Sequence, residues 1–264
     1  MKYVRGFLMA WGMFCWIPCP YKEWRMEDRR AQIAMLPLVG ALIGVCVCLV
    51  WWLLSFTGCS GLLMGAVLTG VYFLLTGFIH IDGFMDCSDA IMPRHPEMQE
   101  RRRILKDPHS GAFAVICLCL MLLIFTAAMA QIAQEFSLKS CSLLVVIFTA
   151  SRTMSAMEVT LRAPMSTSQY SQLEEPGRAR DTIPAIIILA VVLGVCELIM
   201  SDMSWLALIA ELYSNIIALT VLVTAFITCS IDCRKLGGMN GDISGHMITM
   251  SEMFGVLVMA LILS

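Results

Sequence analysis

Residues 61–89 read GLLMGAVLTGVYFLLTGFIHIDGFMDCSD, an uncharged apolar run that leads directly into a histidine and three aspartates. Asp82, Asp86 and Asp89 are spaced i, i+4, i+7, which predicts that they share one face of a helix. At 1.5 Å rise per residue their carboxylates lie within about 10 Å of each other. Such close like charges repel unless a cation neutralises them. The stretch therefore predicts a divalent-metal site at the end of a membrane span.

The composition of the whole chain supports a membrane setting. Its 264 residues are 59% hydrophobic and 14% charged, and the mean hydropathy is +0.80. That is too apolar for a soluble domain of this size, and several long segments carry almost no charge. The sequence therefore predicts an all-α fold: a single membrane domain over residues 1–264, a polytopic integral membrane helical bundle with about seven transmembrane helices.

The predicted spans follow the apolar segments, which are 36–57, 60–79, 112–133, 141–162, 183–200, 205–229 and 246 to the C-terminus. Segment 4–17 is apolar but too short to span, and Pro18 and Pro20 end it, so we expect an N-terminal interfacial or re-entrant helix. Gly40 and Gly44 in the first span suit close contact with a neighbouring helix.

The positions of the basic residues predict the orientation. If the loops alternate sides, the N-terminal segment shares a side with the loops at about 80–110, 163–182 and 230–245. With Arg162 these segments hold sixteen of the eighteen Lys and Arg residues, and only Lys139 lies in the opposite loops. By the positive-inside rule the three loops are cytoplasmic and form an active-site face, with the C-terminus outside.

Two further polar segments belong to this face. The first, ERRRILKDPH at 100–109, offers phosphate-binding side chains, or a basic anchor for anionic lipids; its candidates are Arg101, Arg102, Lys106, Asp107 and His109. The second, GGMNGDISG at 237–245, is a loop that suits close backbone approach to a ligand, with Asn240 and Asp242 as candidate contacts, or a tight turn between spans.

Arg152 lies inside the fourth predicted span, where a charge is costly and indicates either function or a structural interhelix pair. Glu158 is the nearest carboxylate in sequence, but a spacing of six residues fits an i, i+4 pair poorly. The twelve cysteines form no CxxC pair and mostly lie in apolar runs, so we interpret them as packing residues.

Carboxylates, cations and a divalent metal at one membrane face are typical of phosphoryl transfer, in which the protein positions groups and neutralises charge. The chain has no Walker A motif, no GxSxG and no nucleic-acid signature. The residues thus favour a Mg²⁺-dependent transferase acting on a membrane-associated substrate. The alternative that is not an enzyme is a cation transporter.

In its motifs the chain resembles the cobalamin synthases, the adenosylcobinamide-GDP ribazoletransferases. The matching segments, in this order, are WIPCP at 16–20, LPLVGALIG at 36–44, HIDGFMDCSDA at 80–90, ERRRILKDPHSGAFA at 100–114, SR at 151–152 and GGMNGDISG at 237–245. Departures are Ala90 and Ala114 where the family usually has Gly, Pro108-His109 for Ser-Arg, and Asn240 for Thr. They remove an expected arginine.

The resemblance implies transfer of the cobinamide-phosphate moiety of adenosylcobinamide-GDP to the 3′-hydroxyl of α-ribazole or its 5′-phosphate, with release of GMP. It also implies a bacterial or archaeal cell (inner) membrane, Mg²⁺ as cofactor, contact with membrane lipid, and a homo-oligomer or partners among other cobamide-assembly enzymes. A CDP-alcohol phosphotransferase of phospholipid synthesis is the alternative enzyme, although its later aspartate motif is missing here.

Residue roles follow by inference from this reaction. We expect Asp82 and Asp86 to bind Mg²⁺, and Asp89 to be a third ligand or the general base on the ribose hydroxyl. Lys106 and Arg102 would neutralise the diphosphate. The remaining expected substrate contacts are His80, Arg101, Asp107, His109, Arg152, Asn240 and Asp242, with His80 or His109 as the alternative base.

Overall fold

The structure, a computed structural model, describes residues 1–93, 97–165, 177–200 and 205–263, with the backbone alone over 205–211. The regular secondary structure of the described part is all helical, apart from an isolated bridge between Pro164 and Met239. Part of the predicted 163–182 loop, residues 166–176, lies outside the described residues. The all-α prediction is confirmed.

The α-helices of the described residues are α1 (Lys2–Phe14), α2 (Arg29–Ala34), α3 (Leu36–Ser55), α4 (Gly61–Leu75), α5 (Ile79–Ile91), α6 (Met98–Ile104), α7 (Ala112–Ile132), α8 (Leu138–Leu161), α9 (Ile183–Met200), α10 (Trp205–Leu236) and α11 (Gly241–Leu263). Short 3₁₀ helices precede α2 and α9, at Met26–Asp28 and Ala179–Thr182.

Six helical segments of the described chain are long and apolar enough to cross a membrane; they lie in α3, α7, α8, α9 with its preceding 3₁₀ helix, α10 and α11. Helices α4 and α5 together pass the same test but meet at 90°, so they supply a seventh, broken span if counted as one. This confirms a multi-pass helical membrane protein with about seven spans. Helix α1 is not among the candidate spans, as expected for a short N-terminal helix.

The bend between α4 and α5 corrects the predicted span over 60–79. Helix α4 ends at Leu75, and Gly77 and Phe78 then take left-handed backbone angles, with φ of 60° and 62°. The amide of Phe78 donates to the carbonyl of Phe73 at 3.2 Å, and that of Gly77 to Leu74 at 3.0 Å. This is the Schellman pattern that terminates helices. The chain therefore turns before the aspartates, which lie on a separate helix.

Helix α8 is the most buried of the candidate spans and lies at the centre of the bundle, in contact with α3, α9, α10 and α11. Its contact with α3 depends on small residues. A Cβ on Gly40 would lie 2.6 Å from Cδ of Arg152, and one on Gly44 would lie 3.0 Å from Cα of Val145. The prediction that these glycines permit close helix contact is confirmed.

The predicted loop at 230–245 is wrong in extent. Helix α10 continues to Leu236 and α11 begins at Gly241, which leaves a turn of four residues. Gly237 and Gly238 end α10 with φ of 82° and 145°. Asn240 then caps α11, because its Oδ1 accepts the amide of Ile243 at 2.9 Å. The sixth and seventh spans are correspondingly longer than predicted, and Asp242 is helical.

The same turn contacts the segment that follows α8. The amide of Met239 donates to the carbonyl of Ala163 at 2.9 Å, and the amide of Met165 donates to the carbonyl of Met239 at 2.8 Å. Two of the segments predicted to share one membrane face are therefore hydrogen-bonded to each other.

Candidate functional site

Helix α5 carries the three aspartates predicted to share a face, and they differ in exposure. Asp82 is exposed, Asp86 is half-buried, and Asp89 is buried at 9% exposure. The row of carboxylates thus runs from solvent into the protein, where α5 packs against α7 and α11. Only its outer members are open to a ligand.

Asp242 joins this row from the first turn of α11. The two helices touch at Gly83, where an added Cβ would lie 2.7 Å from the carbonyl oxygen and 2.9 Å from the Cα of Asp242. Asp82, Asp242 and Asp89 all lie near enough to act electrostatically on Asp86. Two motifs far apart in sequence therefore form one acidic cluster.

No ion pair in the described part of the chain includes Asp82, Asp86 or Asp242. Among the described residues, their one side-chain hydrogen-bond partner is Asn240, whose Nδ2 donates to Asp242 at 2.7 Å. Carboxylates that act on one another without a cationic side chain among them favour a bound cation, and their hard oxygen donors suit Mg²⁺. The cluster fits that ion.

The arrangement is open rather than a closed cage. Where the structure describes the chain, the ligand atoms of Asp82, Asp86 and Asp89 do not all come within 4.8 Å of one another, and the same holds when Asp242 replaces Asp89. Mg²⁺ usually binds through one or two carboxylates and keeps waters or substrate phosphates as its other ligands. The open set is compatible with that mode.

Asp89 has a specific structural contact. Its two oxygens accept the amides of Gly111 at 2.5 Å and Ala114 at 2.8 Å. Gly111 is the residue before α7, so Asp89 caps the N-terminus of that helix from another element. A Cβ on Gly111 would lie 2.7 Å from Oδ1 of Asp89, so the cap needs glycine there. This favours anchoring over direct metal binding for Asp89.

His80 is enclosed rather than placed at the surface. Its ring stacks on Phe14 of α1 with centroids 6.1 Å apart, and its carbonyl accepts the hydroxyl of Thr249 at 3.2 Å. Nε2 of His80 is buried without a hydrogen-bond partner in the described residues. This position favours a packing role between α1 and α11.

The basic segment divides into two groups of side chains. Arg102 donates from Nε to the carbonyl of Leu236 at 2.6 Å and from Nη2 to that of Gly237 at 3.0 Å, so it caps the end of α10. Arg101 has a buried Nε without a hydrogen-bond partner in the described chain. Lys106 is exposed. Arg101 and Lys106 are therefore better placed than Arg102 to meet a substrate phosphate.

Asp107 and His109 contact each other in the exposed loop before α7. The backbone amide of His109 donates to Oδ1 of Asp107 at 3.0 Å, and its ring Nδ1 lies 2.8 Å from the same oxygen. The backbone hydrogen bond, followed by that of the ring, lowers the pKa of the Asp107 carboxyl. Asp107 is thus a stable anion that orients the His109 ring.

Arg152 belongs to the interior and not to the acidic face. It is 1% exposed and pairs with Glu252 of α11, which is 0% exposed. Tyr72 and Ser151 also donate hydroxyl hydrogen bonds to Glu252. Glu158, the carboxylate nearest to Arg152 in sequence, pairs with Arg162 instead. Of the two roles expected for Arg152, these contacts favour the structural interhelix pair over the substrate contact.

A cavity of about 510 Å³ opens beside Asp82, between the end of α1 and the bend that joins α4 to α5. Gly12, Trp16, Gly77 and Phe78 are among its lining residues. The contribution of α1 was not predictable from the sequence, because Arg5 is the one charged residue in segment 4–17 and the segment has no ligand-type spacing. The cavity gives the acidic cluster an adjoining space of ligand size.

Together, the fold and the acidic cluster define a polytopic helical membrane protein with an open carboxylate site, a class that suits phosphoryl transfer. A family profile described as Cobalamin-5-phosphate synthase matches residues 6–260. The chain belongs to that family, which makes it a protein of cobalamin synthesis rather than of phospholipid synthesis or cation transport.

Curated relatives cover nearly the whole chain. The adenosylcobinamide-GDP ribazoletransferase of Clostridium perfringens is 31% identical over 98% of this chain and 99% of its own length. Proteins of the same name from Lachnoclostridium phytofermentans and Pseudomonas fluorescens are 28% and 31% identical, over 99% and 89% of this chain and 95% and 90% of their own lengths. No solved structure matches the chain significantly.

Proposed function

We propose that this protein transfers the cobinamide-phosphate moiety of adenosylcobinamide-GDP to the 3′-hydroxyl of α-ribazole or its 5′-phosphate, and releases GMP. The names of its relatives support the substrates. The main structural support for the site is the acidic cluster of Asp82, Asp86 and Asp242. None of these carboxylates is ion-paired within the described residues, and the cluster adjoins a cavity.

Mg²⁺ is the cofactor that we propose for this cluster, held by Asp82, Asp86 and Asp242. When bound, the ion would neutralise the diphosphate and stabilise negative charge as the bond to the leaving group breaks. Asn240 holds the Asp242 carboxylate in place through its amide. The glycine at 83 keeps α5 and α11 close enough for their carboxylates to act together.

The reaction forms one bond and breaks one. The ribose hydroxyl oxygen bonds to the phosphorus that carries cobinamide, the bond from that phosphorus to the GMP oxygen breaks, and the hydroxyl proton passes to a base. Arg101 and Lys106 supply positive charge for the diphosphate and the departing GMP. Asp89 keeps α7 and the preceding Gly111 against α5, which positions the basic segment relative to the carboxylates.

The membrane placement that fits this proposal has the acidic cluster, the basic segment and the 237–240 turn at the cytoplasmic face of the cell membrane. The distribution of Lys and Arg supports it. The hydrogen bonds of Met239 to Ala163 and Met165 support it too, because they join two of the segments assigned to that face.

The test supplies purified protein in detergent or liposomes with adenosylcobinamide-GDP and α-ribazole, and identifies the products by mass spectrometry. We expect a cobamide and GMP in equal amounts. A parallel reaction offers CDP-diacylglycerol and an alcohol. Phospholipid formed there, with no cobamide in the first reaction, would overturn the proposal.

A further inference from the structure

A second cluster of metal-ligating side chains lies on the other side of α5. It consists of Cys87 on α5, Asp232 on α10 and His246 on α11. Their ligand atoms all lie within 4.8 Å of one another, and no other group of three such residues meets that spacing in the described chain. Three separate helices thus bring their donors to one point.

The cluster is largely buried, and two of its side chains already contact each other. Cys87 is 0% exposed and Asp232 2%, while His246 is half-buried. Nδ1 of His246 lies 2.6 Å from Oδ2 of Asp232. All three residues line a mainly apolar cavity of about 360 Å³, which also contacts Ser88 and Lys235. The donors therefore face a space that could hold a further ligand.

We propose that Cys87, Asp232 and His246 bind a transition-metal ion of the Zn²⁺ class, with its fourth position turned toward this cavity. A thiolate, an imidazole and a carboxylate are donors that suit Zn²⁺, whereas Mg²⁺ prefers oxygen ligands alone. The thiolate and carboxylate together carry two negative charges, which a divalent ion balances. A neutral site suits an enclosed position in a membrane protein.

The donor atoms lie near the spacing that a bound ion requires. With bonds of about 2.0–2.3 Å, the ligand atoms of a tetrahedral zinc site lie roughly 3.3–3.8 Å apart. The donors now lie within 4.8 Å of one another, so the longest of these distances would shorten by at most about 1.5 Å on binding. Nδ1 of His246 would move away from Oδ2 of Asp232, which is now 2.6 Å away, or His246 would bind the ion through Nε2. Sequence motifs gave no sign of this site, because its donors come from helices distant in sequence and have no zinc-type spacing.

The proposed ion would link α5 and α11, the two helices that carry the acidic cluster. Cys87 directly follows Asp86, and His246 lies one turn beyond Asp242 on α11. Metal binding should therefore stabilise the packing of α5 against α10 and α11 without contributing to the phosphate site. This inference does not depend on the substrate proposed above.

The first experiment uses the full-length protein in detergent, stripped with a chelator and supplied with Co²⁺ or Zn²⁺ in excess Mg²⁺. We expect one equivalent of Co²⁺ to produce a thiolate-to-cobalt charge-transfer band, and Zn²⁺ to displace it and raise the unfolding temperature. Absence of the thiolate band in the wild-type protein would overturn the proposal, whatever the variants do.

Variants assign the ligands. Cys87→Ser, Asp232→Asn and His246→Gln should each weaken Zn²⁺ binding by more than about tenfold. Cys117→Ser is the matched control, because Cys117 lines the same cavity but is not in the cluster. Binding that survives in all three cluster variants, or that is lost equally in Cys117→Ser, would place the ion elsewhere and contradict the assignment.

Discussion

The carboxylate of Asp89 ties α5 to the beginning of α7, where it accepts the amides of Gly111 and Ala114. Asp89→Ala removes both acceptors and leaves two amides at a helix N-terminus unsatisfied. We expect the free energy of unfolding to fall by about 1–2 kcal/mol, and by less in Asp89→Asn, which keeps one acceptor oxygen. Chemical denaturation in detergent measures this.

The same pair of variants separates anchoring from chemistry. If Asp89 were the general base or a metal ligand, Asp89→Asn would keep its stability and lose its transferase activity. That result would contradict the role that its hydrogen bonds indicate.

Arg152 and Glu252 form a buried ion pair. Removing one partner leaves the charge of the other buried and uncompensated. Arg152→Met should lower the free energy of unfolding by about 3–5 kcal/mol, and the double variant Arg152→Met/Glu252→Gln should recover much of that loss. Thermal unfolding of both proteins in the same detergent provides the comparison. A stable Arg152→Met protein with a raised KM for adenosylcobinamide-GDP would instead indicate a substrate contact.

Individual site residues were predictable from sequence where the signal was local. The helical spacing of Asp82, Asp86 and Asp89 predicted their common helix. The partner of Arg152 was not predictable, because Glu252 lies on a distant helix and the nearer Glu158 forms its own i, i+4 pair with Arg162. Sequence spacing identifies partners within one helix but not across a bundle.

At the scale of elements, the crossing of α5 and α11 brings Asp242 beside the other carboxylates. A methyl group at position 83 would meet the backbone of Asp242, so Gly83→Ala must push the two helices apart. A displacement of about 1 Å at a reacting centre can cost about 10²-fold in rate. We therefore expect Gly83→Ala to lower transferase kcat by that order.

Gly70→Ala is the matched control for this prediction. Gly70 lies on α4, and no neighbouring residue that the structure describes comes within 4 Å of an added Cβ. It should leave kcat unchanged and, as an alanine in a helix, stabilise the protein by up to about 1 kcal/mol. Equal activity in Gly83→Ala and the wild-type protein would show that the crossing does not set the site geometry.

The elements themselves were predicted unevenly. Long apolar segments such as α7 and α9 appeared at nearly their final bounds, because hydropathy reports them directly. The polar C-terminal end of α10 and the polar N-terminal turn of α11 were assigned to a loop, because the hydropathy falls there. The backbone nevertheless remains helical up to Gly237. The bend after α4 was missed, since left-handed backbone at Phe78 has no hydropathy signal.

For the whole molecule, the broken pair α4–α5 decides the topology. If the pair counts as one crossing, the chain crosses seven times and its ends lie on opposite sides of the membrane. With the basic N-terminal segment inside, a reporter fused after Ser264 should be external. Alkaline phosphatase activity of such a fusion in intact cells tests this, with a fusion after Lys22, which precedes the first span, as the cytoplasmic control. A cytoplasmic C-terminus would contradict this, because it would mean that the α4–α5 pair does not cross the membrane and that the chain crosses six times.

The charge distribution predicts an orientation for the whole molecule, but nothing in the sequence predicts how the site is assembled. The positive-inside rule needs only the positions of Lys and Arg along the chain. Placing Asp242 against Gly83 requires the packing of α11 on α5, and no periodicity in either segment specifies that contact.

The central claim is that Asp82, Asp86 and Asp242 together hold Mg²⁺ for phosphoryl transfer. The most direct measurement is the rate of cobamide formation against Mg²⁺ concentration for Asp82→Asn, Asp86→Asn, Asp242→Asn and the exposed control Glu135→Gln. We predict EDTA-sensitive activity, wild-type behaviour in Glu135→Gln, and a need for at least about tenfold more Mg²⁺ in each aspartate variant. Unchanged Mg²⁺ dependence in all three aspartate variants, or full activity in EDTA, would contradict the account.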